Sequence, residues 1–367
     1  MGKLTILSPV HIGNGNTYPN YIIFGTKKYS FDKLLNIAIE KNKDQLLSDN
    51  FIYKLINPER NAGQTKEEIA KVLKVEKSEL ENITEEYEVN IKTPKFNQFD
   101  INEQIKDLQS VLIPGSTLKG YITNVIMFDI IKNNRKIHDF YRANLSNSRY
   151  INNFEREVFT LSNQSLICRD LKFPKKIDIK LVSRISKRGP IPSIYECIPN
   201  NSVVDTEIIN VVKKDLIHKL DNPNSKLLYS EILKRILNIK SEFASMNKEY
   251  MLNAIKYERD FVDNTKVRDV DKFAINKQLD HYVELLNSGR IIIQLGKNTN
   301  YIVKSVGHAY NKKFYEEQFY RFFNPGRRPR DKKTPVAKPF LIGSMNLVSD
   351  FNYELYNEIP GFVEIVW

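Results

Sequence analysis

Only two cysteines, Cys168 and Cys197, occur in 367 residues. Two thiols are too few for the disulfide framework of a small secreted domain, and neither sits in a CxxC or Cys/His spacing that would hold zinc. Both are therefore read as reduced. No run approaches 18 consecutive apolar residues, so no membrane span is expected. The opening MGKLTILSP lacks the basic segment, apolar run and cleavage site of a secretory leader, and Ile6 stands where a myristoylation signal wants Ser or Thr. These absences point to a cytoplasmic chain with no membrane partner. Neither GxGxxG nor GxxxxGK[ST] is present, so a nucleotide cofactor has no support. The five histidines, His11, His138, His218, His281 and His308, show no HxxxH spacing, and neither a metal site nor any other cofactor is expected.

What is present is positive charge and enough apolar content for a core. Fifty-six Lys and Arg against 44 Asp and Glu give a formal charge of +12, which makes a polyanion the leading candidate partner. Apolar residues make up 41% of the chain, so it folds rather than staying disordered. Lys3 to Leu7 reads as a first strand closed by Ser8-Pro9. Tyr21 to Phe24 and Lys28 to Phe31 flank Gly25 as a hairpin, and Asp32 is placed to cap a helix. From there to about Gln109 the chain reads as mostly helical, with capping boxes at Thr65-Lys-Glu-Glu68 and Ser78-Glu-Leu-Glu81. A helix from the Gly115 region to about Ile131 buries Leu118, Ile122, Val125 and Ile126. Strands are expected at 166–171, 177–184, 193–198 and 203–209, and long helices over 211–286 with breaks near 240–247 and 263–265. Strands return at 290–295, 340–347 and 361–366. Strands interrupted by helices, with hairpins among them, fit an α+β fold better than a doubly wound parallel sheet.

Two glycine segments carry the chemistry. In Leu7-Ser-Pro-Val-His-Ile-Gly-Asn-Gly15, Gly13 and Gly15 follow a strand and let the backbone, with Asn14 between them, approach an anion. An ordinary turn explains the same spacing, and His11 between Val10 and Ile12 fits a hydrogen-bonded structural residue. In Ile113-Pro-Gly-Ser-Thr-Leu-Lys-Gly120, Gly115, Ser116 and Thr117 open a helix whose free amides and dipole favour an anion, and Lys119 adds a full charge. A simple capped helix explains Pro114 and Ser116. It does not explain Gly120, which costs about 1 kcal/mol relative to alanine inside an apolar helix and suggests close approach of another backbone.

These segments resemble two motifs of the RAMP superfamily of CRISPR effector complexes. One has the form Thr/Ser-Pro-apolar-His-Ile-Gly-x-Gly, the other Ile-Pro-Gly-Ser-Ser/Thr-apolar-Lys-Gly. The order continues through Cys168-Arg-Asp170, the basic run Arg184-Ile-Ser-Lys-Arg-Gly189, Tyr195-Glu-Cys-Ile-Pro199 and Asp205-Thr-Glu207. The likeness spans residues 5 to about 209, with weaker agreement at Leu295-Gly296 to Gly307 and at 360–365. Within the superfamily it runs to the fifth-subunit family of type III-A Csm complexes.

The resemblance implies a ferredoxin-like, RRM-like core with an antiparallel sheet over residues 1–208, carrying a helical insertion at about 32–110 and a basic hairpin at about 172–192. It also implies a helical segment with a second, more diverged RRM-like half over 209–367. The expected role is non-catalytic: binding the guide RNA (crRNA) mainly through its backbone, capping the filament near the 3' end, supporting crRNA maturation and assembly, and touching neighbouring Csm backbone subunits. RNA is expected near His11, Gly13, Asn14, Gly15, Gly115, Ser116, Thr117, Lys119, Arg184, Lys187 and Arg188. In the late glycine loop Lys297 is the candidate, although no glycine separates Gly296 from Gly307 there.

Residues 321–338 bring Arg321, Arg327, Arg328, Arg330, Lys332, Lys333 and Lys338 against a single Asp331. Like charges this dense repel unless a partner neutralises them. Arg327, Arg328 and Arg330 are therefore read as contacts for RNA or an acidic subunit, with recruitment of a separate nuclease as a further use. Asn16 to Phe31 holds no Asp or Glu, where the target-cleaving backbone subunit of these complexes places an aspartate, so no catalytic residue is assigned. Two other readings stay open: a RAMP endoribonuclease that processes precursor guide RNA, for which His11 would be the nearest general acid or base, and a subunit-bridging protein that touches RNA little.

Overall fold

The first strand finds partners at the opposite end of the chain. In the computed structural model, Gly2–Ile6 pairs antiparallel with both Val203–Thr206 and Phe362–Val366, and Ile291–Gln294 completes a four-stranded sheet on the far side of Phe362–Val366. The structure describes residues 2–18, 23–24, 27–41, 77–80, 87–90, 100–144, 148–186, 189–211, 214–264, 268–299, 302–304, 306–310, 344–349 and 356–366. Leu4, Ile6, Ile292, Ile293, Val363 and Ile365 are all buried, so strands distant in sequence are held by one shared core. Two of these strands precede residue 208 and two follow it, and the two pairs meet where Gly2–Ile6 lies beside Phe362–Val366.

The helix Gly115–Asn133 is apolar nearly all round, with Leu118, Tyr121, Ile122, Val125 to Phe128, Ile130 and Ile131 buried. Such a helix needs cover on several faces. The helices Pro223–Leu237 and Ile239–Asp263 supply part of it. The Asn247 amide ties the layers together: it accepts from the Tyr121 hydroxyl at 2.7 Å and donates to the Ile292 carbonyl at 2.8 Å. Fully buried, it would be costly if either bond were missing.

A second, nine-stranded sheet is built around the hairpin of Lys176–Ser186 and Gly189–Cys197. Ser344–Ser349 adds antiparallel to it, whereas Tyr87–Asn90 and Ile101–Gln104 add in parallel. The molecule is α+β, with several sheets and helices. The four-stranded sheet is antiparallel and draws two of its strands from beyond residue 208; the larger one is mixed.

Three details differ from the sequence expectation. The region from Asp32 to about Gln109, expected to be mostly helical, contains the strands Tyr87–Asn90 and Ile101–Gln104. The two buried residues of Ile101–Gln104 are its ends, which lie three apart and so on opposite faces, and one of them is polar, so no alternation shows in the sequence. The basic hairpin extends to Cys197, while Leu171–Pro174 pairs instead with Ser110–Ile113. The first break in the long helical region falls at Asn238 rather than at 240–247, the helices on either side being Pro223–Leu237 and Ile239–Asp263. Thr65 to Glu68 lie outside the described residues, as does Glu81 of the second capping box. No described helix is long and apolar enough to cross a membrane.

Candidate nucleic-acid interface

Two glycine segments distant in sequence are clasped backbone to backbone. The His11 carbonyl accepts from the Lys297 amide at 2.8 Å, the Leu295 amide donates to the Gly361 carbonyl at 2.8 Å, and the Gly361 amide donates to the Pro9 carbonyl at 3.0 Å. Gly296 must be glycine. It adopts φ +106°, and a Cβ there would lie 2.5 Å from the His11 carbonyl oxygen. The clasp brings the late loop against the first loop and over the start of the helix Gly115–Asn133.

These three elements enclose a cleft of about 340 Å³. Ile12 and Gly13 form one wall. Thr117, Gly120, Tyr121 and Asn124 form the second, and Gln294 to Lys297 with Thr299, Val303 and Lys304 the third. None of the described lining residues is acidic. Lys297 donates to the Asn102 amide oxygen at 3.3 Å and lies 5.8 Å from the centre of the Tyr195 ring. Lys304 is an exposed residue whose ammonium donates to the Lys297 carbonyl at 3.1 Å. Partial desolvation of that ammonium, with the like charges of Arg184 and Lys297 nearby, lowers its pKa to about 8. Crowded cations beside a cleft with no acidic wall make an attractive field for phosphate.

The candidate residues separate on this geometry. Gly13, Thr117 and Lys297 line the cleft, and exposed Arg184 is close enough for its charge to act on Lys304. Asn14 and Gly15 lie in the irregularity between the Gly13–Gln104 and Thr17–Asn102 pairs, Gly15 at φ +95°. The Asn14 side chain is committed to Glu103 at 2.8 Å and to the Asn16 amide at 2.8 Å. Burial pushes the Glu103 carboxyl up, but the Asn14 amide and the Lys106 and Lys28 charges outweigh it and hold the pKa at about 2. Gly115 is buried, its amide donating to the Asp170 carboxylate at 2.7 Å. The anion next to this first-turn amide is therefore the chain's own carboxylate, which complements the helix dipole. Ser116 is exposed beside it. Lys119 donates to the Asn163 carbonyl at 3.2 Å and is not among the cleft-lining residues. Lys187, Arg188, Arg327, Arg328 and Arg330 lie outside the described residues.

His11 is built into the wall's support. Its Nδ1 is 2.7 Å from the Glu196 carbonyl oxygen, which can only accept, so Nδ1 carries the proton and Nε2 does not. Only 1% of the residue is exposed. Burial lowers its pKa from 6.5 to about 4, against the upward pull of the Glu196 bond. The unfolded chain therefore binds a proton below about pH 6.5 that the folded chain refuses until about pH 4. The contribution to stability is complete above pH 6.5 and is lost on acidification across this window, a change of about 3 kcal/mol. Urea unfolding at pH 7 and pH 4 should show wild type losing about that much more than His11→Gln.

Sequence reasoning missed Tyr121, Asn124 and Gln294, and passed over Thr299 and Lys304 in the late loop. Tyr121 and Asn124 sit one and four residues beyond Gly120 and so belong to the helix face next to it. Lys304 was visible as a cation in the late loop, but only the fold brings it to Lys297.

The sequence pattern of the RAMP superfamily matches residues 3–301, and the chain belongs to that superfamily. Two solved structures share its fold over their whole length. A chain in the cryo-EM structure of a Csm-crRNA-target RNA ternary complex of a type III-A CRISPR-Cas system matches with TM-score 0.63 and 18% identity, covering 100% of both chains. The crystal structure of T. onnurineus Csm5 matches with TM-score 0.59 and 16% identity, covering 99% of each. No curated protein matches the chain in sequence.

Proposed function

We propose that this chain is a non-catalytic, guide-RNA-binding subunit of a type III-A CRISPR interference complex, capping the backbone near the 3' end of the crRNA and supporting crRNA maturation and assembly. The observation that carries the reading is the meeting of Gly13, Gly120 and Gly296 around one cleft, with Lys297 and Lys304 on its third wall. Gly120 is the telling one: among the described residues a Cβ there would meet nothing within 4 Å, so none of them demands glycine. An RNA backbone lying against that helix face would. The RAMP family match and the full-length likeness to Csm-complex chains support the same reading, along with contacts to neighbouring Csm backbone subunits and a cytoplasmic setting. Two RRM-like halves, divided near residue 208, and a nuclease-recruiting role for 321–338 belong to this proposal too.

Cleavage by the chain itself is not part of it. His11 is buried, holds its Nδ1 proton against a carbonyl and is neutral at pH 7, which supports a structural role over a general acid or base.

Gly120 separates folding from binding. Gly120→Ala should raise stability by about 0.5–1 kcal/mol through helix propensity. Gly120→Leu should keep the thermal midpoint yet lower the guide RNA that co-purifies with the complex. Retained RNA in the leucine variant removes the cleft from the account. Incubating the purified chain with end-labelled guide, repeat and target RNAs, with and without magnesium, should leave them intact, and specific cleavage abolished by His11→Ala would establish the endoribonuclease instead.

A further inference from the structure

The third wall contains a buried polar atom that the fold does not use. Gln294 is 2% exposed, and its Nε2 donates to the Pro360 carbonyl at 3.0 Å. A carbonyl can only accept, so the orientation of the amide is fixed and Oε1 is left as an acceptor. That oxygen has no hydrogen-bond partner among the described residues. A buried acceptor without a partner is worth about 1–3 kcal/mol to whatever donor satisfies it. Gln294 lines the cleft, and the chain runs from it through Leu295 and Gly296 directly to Lys297.

We infer that the cleft holds one ribonucleotide unit of an RNA chain, with a ribose 2'-hydroxyl donating to Gln294 Oε1 and the adjoining phosphate held by Lys297 and Lys304. This rests on the reading above that the cleft faces guide RNA, and adds what it recognises there. The donor has to sit close to an anion, because the acceptor and both cations line the same wall of one cleft. A sugar hydroxyl meets that requirement for every base, whereas an exocyclic amine would tie the site to particular bases. The volume of about 340 Å³ lies at the small end of ligand sites and suits a single unit rather than a stacked run. Since the 2'-hydroxyl is the group that separates RNA from DNA, Gln294 is the residue by which this subunit discriminates between them.

The test uses the whole chain and single-stranded oligonucleotides of one sequence. Filter binding should favour RNA over DNA by about 10-fold, the equivalent of one such hydrogen bond. Walking a single 2'-deoxy or 2'-O-methyl substitution along the RNA should locate one position where most of that preference is lost, which needs no protein variant. Gln294→Met should bring the ratio of RNA to DNA affinity close to one while still binding both, with thermal melting run alongside to report the loss of the Pro360 bond. Equal binding of RNA and DNA by wild type, or an unchanged ratio in Gln294→Met, overturns the 2'-hydroxyl assignment and leaves the RNA-binding reading standing. Failure to bind either oligonucleotide overturns both. Displacement of the RNA by uridine monophosphate at stoichiometric concentration would make a free nucleotide the occupant and overturn the chain-unit assignment.

Discussion

Complexes carrying Lys297→Glu together with Lys304→Glu should lose guide RNA by about 10- to 100-fold at physiological salt while the chain melts at its usual temperature. Both lysines line the cleft, and the Lys304 ammonium donates to the Lys297 carbonyl at 3.1 Å. Hydrogen bonds to charged groups are worth about 1.5–3 kcal/mol each, so removing even one contact of this kind reaches the lower figure. Neutral replacements give a second readout. With both lysines changed to glutamine, the plot of log affinity against log salt should become shallower by about 1.4, the value for two phosphate contacts on a single strand. Protonation gives a third. Because Lys304 is held at about 8, its charge is largely present at pH 7 and largely gone at pH 9, so wild-type affinity should fall across that interval and Lys304→Arg should flatten the fall. Lys119→Glu, on the helix that forms the second wall, is the control, since that ammonium faces the Asn163 carbonyl. RNA loss in Lys119→Glu equal to that of the double variant would move the interface away from the cleft.

The local part of this site was legible in the sequence, and the long-range part was not. Glycine at 115 and 120 around a hydroxyl pair, and glycine at 13 and 15 after a strand, are patterns within eight residues of chain. The helix that follows was readable from Leu118, Ile122, Val125 and Ile126, because an apolar spacing of three and four reports burial directly. The strands expected at 177–184 and 193–198 fall within Lys176–Ser186 and Gly189–Cys197 to within a residue, whereas the hairpin that joins them was implied by the family resemblance at about 172–192. What joins these pieces is pairing across the chain: His11 with Lys297, and Gly2–Ile6 with Phe362–Val366. No local pattern encodes a partner 286 or more residues away. Ion-pair and capping chemistry misled in a different way. A free helix start was expected at Gly115, yet the carboxylate that answers it comes from Asp170, 55 residues on. Glu196 belongs to a motif quoted for its order, and its role is to sit fully buried while accepting from the Tyr18 hydroxyl at 2.5 Å, the Gln104 amide at 2.9 Å and Lys106 at 2.9 Å. Those bonds hold Ile101–Gln104 in the larger sheet, which is why a strand with so little apolar signature forms there.

Gly115→Val should be the most destabilising single change in the interface, costing about 3 kcal/mol or more. A Cβ at position 115 would lie 2.0 Å from the Cys168 carbonyl oxygen and 2.9 Å from the Arg169 carbonyl carbon, both backbone atoms that no rotamer change can clear. Overpacking of this kind typically costs about 1–3 kcal/mol when side chains can yield, and more when backbone must move. Here the neighbouring backbone is also anchored. Cys168 pairs with Ile208 in a two-stranded sheet, and Asp170 accepts the Gly115 amide, so a shift that relieves the clash disturbs the pairing and draws the carboxylate away from the helix start. The consequence reaches the cleft, because Thr117 and Gly120 ride on the same first turns. Asp170→Asn is the milder companion: it keeps an oxygen for the Gly115 amide and removes the charge, and should lose roughly 0.3–1 kcal/mol. Urea unfolding of both variants, with guide RNA content measured on the fraction that remains folded, checks the argument. A valine variant as stable as wild type would show that the helix start and the Cys168 backbone can separate at little cost, and that Gly115 is not the pivot on which this wall of the cleft is set.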